Sequence, residues 1–180
     1  MNTIHILANA GVPMIFLTLP PMIVLLIPVI LIEFLAFRNI AATQTIKQKI
    51  IGLSVANLFS TFIGWPVAWV ILVVLQMVTG GGGAHGLNSP IGVILSVTQQ
   101  APWLIPYESD LYWMIPVAMT VLMIPFYFVS VYSERWILLK LWKKSERKDV
   151  VSLSWRAHIY SYLFLLIVVV SYGLVSIKQK

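Results

Sequence analysis

The sequence predicts an all-α, polytopic membrane protein: four transmembrane helices in two hairpins, with a short interfacial element in the outer loop. Three observations carry that prediction. Four apolar segments are each long enough to cross a hydrocarbon core, which takes roughly 20 helical residues. Hydrophobic residues make up 59% of the chain and charged ones 10%, where a soluble domain carries roughly 25% charged residues. Finally, Gly52, Ala56, Ser60, Gly64 and Ala68 place a small side chain at every fourth position of the second segment. In a helix these form one inclined ridge that another backbone can approach closely, the contact on which helix association in lipid depends. At 180 residues the chain is one domain.

The stretch from Ile4 to Phe37 is almost unbroken in hydrophobicity. As one straight helix it would be about 50 Å long, against a core of about 30 Å. Gly11, Pro13 and the Pro20-Pro21 pair are the available breakers, since proline removes a donor and clashes with the carbonyl four residues back. The expectation is an interfacial N-terminal piece followed by a kinked span over about 14–37. The first residues lack the basic n-region of a secretory signal, so the N-terminus is expected to be retained.

A short polar connection with Arg38, Lys47 and Lys49 leads to the second span, about 50–77. Its ridge, meeting a like ridge, favours a right-handed crossing. Asn57 and Thr61 run beside it as hydrogen-bonding residues, and Pro66 is expected to kink the helix. After the glycines of 80–83, Pro90 to Thr98 is apolar but too short to cross, which reads as the interfacial element. Trp103, Tyr107, Tyr112 and Trp113 mark the return to the membrane surface. The third span is about 113–138, containing Pro116 and Pro125. It leads into a basic stripe of Lys140, Lys143, Lys144 and Arg147, expected on one helical face against anionic lipid headgroups. The last span is about 157–177.

Ten of the twelve Lys and Arg lie around the first and third connections, and the second connection has none. The positive-inside rule therefore puts both basic connections in the cytoplasm and both termini on the non-cytoplasmic side of a cell (inner) membrane. Charge gathered in this way is a topology signal and not a nucleic-acid footprint. With no cysteine, disulfides, thiol relays, Fe–S clusters and Cys-ligated zinc are excluded.

Shifting the chain against itself by 101 positions aligns Glu33 with Glu134, Lys47 with Lys148, Ala56 with Ala157 and Ser60 with Ser161. Asn57 falls on His158, and Met22-Ile23 on Met123-Ile124. Such an offset joins equivalent ends of two hairpins and describes a parallel internal repeat.

Glu33 and Glu134 are the acids within or beside the spans, and ionisable groups at such depth are functional hypotheses. Their places near helix ends, close to Arg38 and Arg135, favour snorkelling to the interface. The alternative is a polar site of Glu33, Asn57, Glu134 and His158 facing a central cavity. Haem lacks a second membrane histidine, since His5 and His85 are expected outside. A Ser161–His158 hydrolase lacks a nucleophile elbow and an orienting Asp. Gly81 to Gly86 spells G-x-G-x-x-G but follows a membrane helix instead of a strand, so it reads as a linker. His85, Glu108 and Asp110 are too scattered to specify a metal, and neither a metal nor a cofactor is expected. The leading expectation is a non-catalytic subunit, scaffold or assembly factor, partnered by lipid and by itself or another membrane protein through the ridge. A small transporter or channel using Glu33 and Glu134 with Asn57 and His158 is the alternative.

Overall fold

The structure is a computed structural model that describes residues 12–38, 44–80, 83–105, 109–143 and 145–179. Four long helices dominate it: α1 (Met14–Phe37), α2 (Ile46–Gly80), α4 (Leu111–Leu141) and α5 (Arg147–Lys178). All four are long and apolar enough to span a membrane, and the chain is an integral membrane protein. Their outer faces expose Phe16, Ile27, Leu31, Phe62, Ile124 and Ile167, among many large apolar side chains. In water that surface would be costly; in a bilayer it contacts lipid.

Helix α1 begins at Met14, directly after Pro13, as the breakers in the sequence predict. It remains one helix through Pro20, Pro21 and Pro28. Helix α2 likewise continues through Pro66, and α4 through Pro116 and Pro125. The N-terminal piece expected at the interface lies outside the described residues. Between α2 and α4, the short α3 (Pro90–Thr98) forms where an apolar but non-spanning element is expected. Ser89 caps it by accepting from the Gly92 amide at 3.0 Å, and Pro90 opens its first turn. A side chain at Gly92 would collide with the Gly86 carbonyl, which fixes glycine there. A two-residue ladder, β1 (Val12–Pro13) against β2 (Trp103–Leu104), ties the start of α1 to the loop after α3.

The helices form a ring in which α1 meets α2 and α5, while α4 meets α2 and α5; the α1–α4 diagonal is slight. The most extensive interface joins α2 to α4. Two apolar cores fill the bundle. One gathers Met14, Trp65, Leu72, Met114, Leu122 and Phe126 with residues of the α3–β2 loop. The other gathers Phe37, Leu53, Leu138, Trp142, Val150 and Leu153. Because the end of α1 and α4 meets the start of α2 and α5 in this second core, α1 and α4 run one way and α2 and α5 the other.

The small-residue ridge lies buried inside this bundle, and it does not meet a ridge like itself. Gly52 faces the Trp142 ring and Gly64 the Phe126 ring, both carried by or capping α4. The absent side chains make room for aromatic rings: Trp142 also contacts Phe37 edge-on at 5.4 Å, and Phe126 contacts Trp65 at 5.6 Å. Ala56 and Ala68 are fully buried in the two cores. Close packing is therefore achieved within the chain, by rings entering notches.

Candidate functional site

Between the two apolar cores lies a polar layer, and it contains every residue of the sequence-derived polar site. Glu33 comes from α1, Asn57 from α2, Glu134 from α4 and His158 from α5. Glu33 and Glu134 are each 1% exposed, as is His158. The snorkelling expectation fails here for a geometric reason. Helix α5 starts at Arg147, ten residues before the expected span, and α2 starts at Ile46. These added turns, with the end of α4, surround the acids with protein. Phe37, Leu53, Leu138 and Trp142 then close the bundle beneath them.

Each carboxylate is held by side chains from neighbouring helices. Glu33 Oε2 accepts from Asn57 Nδ2 at 2.7 Å, and Glu33 Oε1 accepts from Ser161 Oγ at 3.0 Å. Glu134 Oε1 accepts from Ser60 Oγ at 2.6 Å. His158 Nε2 stands 3.4 Å from Glu134 Oε1 and 3.9 Å from Glu33 Oε1. The other ring nitrogen, Nδ1, is 2.6 Å from the Ser154 carbonyl. A carbonyl only accepts, so Nδ1 carries a proton and donates it there. Among the described residues, His158 Nε2 and Glu134 Oε2 are buried without a hydrogen-bond partner.

Several contacts within the polar layer recur 101 positions apart. Asn57 bonds Glu33, while its counterpart His158 faces Glu134. Asn57 also donates to the Leu53 carbonyl at 3.1 Å, as His158 does to the Ser154 carbonyl, four residues back in each case. Ser60 donates to the Asn57 carbonyl and Ser161 to the His158 carbonyl, three residues back. Ser60 and Ser161 are site residues that sequence reasoning misses: it assigns Ser60 to the packing ridge and sets Ser161 aside with the rejected hydrolase. The offset that paired them was the signal that could have added both to the polar set.

Two cavities adjoin the layer. The smaller, about 50 Å³, is lined by Glu33, Asn57, Ser60, Thr61 and Glu134. It has room for a water or a small ion, since a single water needs roughly 10–15 Å³. The larger, about 350 Å³, opens between α1, α4 and α5 and is almost wholly apolar. Met22, Leu25, Phe126, Tyr162 and Leu165 line both, so the cavities share a wall. At that wall the Tyr162 hydroxyl and Ser130 Oγ are 3.0 Å apart.

The other sequence candidates lie elsewhere. His85 Nε2 is 3.2 Å from Gln99 Oε1, and Asp110 accepts from Trp113 Nε1 at 3.0 Å. Glu108, the third residue of that set, lies outside the described residues. The basic stripe is split: α4 ends at Leu141, and Arg147 opens α5, so Lys140 and Arg147 do not share a helix. Trp142, at φ −103° and ψ 57°, breaks the helix between them. Lys140 Nζ rests 3.5 Å over the Trp136 ring, and Lys144 lies outside the described residues. No family model, curated protein or solved structure matches this chain.

Proposed function

We propose that the protein is a small transporter that binds a cation in the membrane interior at Glu33, Glu134 and His158. One observation carries this reading: ligating atoms of two carboxylates and an imidazole lie within 4.8 Å of one another, buried on helices able to span a membrane. Burying ionisable groups at such depth is expensive, and such residues mark ion pathways and proton relays. The matched contacts across the 101-position offset support an internal duplication whose halves meet at the site. Secondary transporters bind their ions at repeat interfaces of this kind. Asn57, Ser60 and Ser161 would hold the carboxylates in place while the ion comes and goes. By the positive-inside rule the basic end, with Arg38 and Arg147, faces the cytoplasm.

The scaffold reading loses its main support, because the ridge meant for a second copy is occupied by Trp142 and Phe126 of the same chain. Reconstitution into proteoliposomes loaded with a pH-sensitive or metal-sensitive dye tests the transport reading. A cation gradient should drive flux in the wild type and none above background in Glu33→Gln. Unchanged flux in that variant, or no flux of any cation tried, overturns it.

A further inference from the structure

With the cluster taken as the working site, as proposed above, the geometry points to its ligand: a divalent first-row transition-metal ion of the Zn²⁺ kind, held by Glu33, Glu134 and His158. A set of buried acids would not be enough to say so. What adds to it is the orientation of the imidazole. Metal-ligating histidines almost always donate their second ring N–H to a carbonyl or carboxylate, which fixes the tautomer and aims the free lone pair at the metal. His158 does this through Nδ1 to the Ser154 carbonyl at 2.6 Å, which turns Nε2 toward both carboxylates. Nε2 and Glu134 Oε2 are the two buried atoms of the cluster without a hydrogen-bond partner among the described residues.

The spacing fits as well. Ligands about 2.0–2.1 Å from a tetrahedral ion stand about 3.4 Å from one another. His158 Nε2 lies 3.4 Å from Glu134 Oε1 and 3.9 Å from Glu33 Oε1. Charge closes too: two carboxylates and a neutral imidazole balance a doubly charged ion, so the occupied site adds no net charge to the membrane interior. Mixed imidazole and carboxylate ligation suits Zn²⁺, Mn²⁺, Fe²⁺ and Co²⁺ better than the all-oxygen ions Mg²⁺ and Ca²⁺. The outer hydrogen bonds from Asn57, Ser60 and Ser161 orient the ligands. The adjoining cavity leaves space for water in the remaining coordination position.

Titration of the purified full-length protein in detergent with Co²⁺, followed by its visible absorption and by elemental analysis, tests the site. The wild type should bind one Co²⁺ per chain, displaceable by Zn²⁺. Glu134→Gln should lose it, and Ser161→Ala should bind roughly 10–100-fold more weakly, as outer-shell losses do. The surface variant Lys140→Gln should bind like the wild type. Should Glu134→Gln fail to fold, His158→Cys serves instead, because a thiolate ligand adds a sulfur-to-cobalt charge-transfer band. The inference is overturned if the wild type binds no Co²⁺ or Zn²⁺. It is overturned equally if helical, monodisperse Glu134→Gln binds unchanged, or if His158→Cys binds without that band. A wild type that moves protons through Glu33 yet binds no metal would remove the metal and leave the transport reading standing. Stoichiometric binding without flux would do the reverse.

Discussion

Ser60 on α2 donates a hydrogen bond to Glu134 on α4, and Ser161 on α5 donates one to Glu33 on α1. Ser60 reaches Glu134 at 2.6 Å and Ser161 reaches Glu33 at 3.0 Å. The four long helices are therefore laced together by side-chain hydrogen bonds, in addition to the apolar packing above and below. Hydrogen bonds to a charged group are worth about 1.5–3 kcal/mol each. Ser60→Ala and Ser161→Ala should each lower the thermal midpoint in detergent, and by similar amounts. Because the two serines serve one network, the double variant should depart from the sum of the singles by more than about 0.5 kcal/mol. Additive losses would mean that the two bonds are independent.

Gly52 faces the indole of Trp142 so closely that a Cβ there would come within 2.7 Å of Nε1. Gly52→Val should destabilise the protein by about 1–3 kcal/mol, the usual cost of overpacking. Gly64→Ala, where the new carbon meets Phe126 at 3.2 Å, should cost less. Gly83, with nothing within 4 Å, should tolerate alanine without measurable change. Melting curves of the three variants rank the contacts directly.

Lys49 is buried, and its ammonium donates to the Arg38 carbonyl at 2.8 Å, at the C-terminal end of α1. A cation at that end meets the negative pole of the helix as well as an orphan carbonyl. Lys49→Met keeps the aliphatic stem and removes the charge, so the loss should be about 1–3 kcal/mol. A stability equal to wild type by chemical denaturation in detergent would show that the contact contributes nothing.

If the larger cavity is the approach to the carboxylates, narrowing it should slow transport without touching the ion site. Met119→Trp adds bulk to the wall of the larger cavity at a residue that does not line the smaller one. Flux in proteoliposomes should fall several-fold while Co²⁺ affinity stays within about twofold, since neither the ligands nor the side chains hydrogen-bonded to them are altered. Equal losses of both would mean that the substitution reaches the site itself.

Much of the architecture was legible in the residue order, because uninterrupted apolar runs have few other fates. The start of α1 after Pro13 and the helix over Pro90–Thr98 follow from proline chemistry and segment length. Helix ends were harder. The polar stretch before Ala157 reads as a loop by hydropathy, yet Val150, Leu153, Ser154, Ala157, His158 and Ser161 are all buried along one face of α5. That spacing, every third or fourth residue, was present in the sequence and was masked by the charges interleaved with it. Missing those turns placed Glu33 and Glu134 at a surface they do not reach. The ridge was read correctly as a line of small residues, but no local pattern states whether a notch will receive another backbone or a ring from the same chain. The crosswise partnership of Ser60 with Glu134 is likewise a tertiary fact, set by how the helices are ordered around the ring.

Phe37 and Trp142 meet edge to face directly under the carboxylates, and the apolar residues around them leave that end of the bundle shut. The larger cavity gives onto the opposite reach of the molecule. On the transport reading, an ion on Glu33 and Glu134 would have that cavity on one side and the aromatic pair on the other. On that same reading, exit toward the lysines and arginines would require the Trp142 indole to swing off Gly52, so one ring packed on one glycine would govern release.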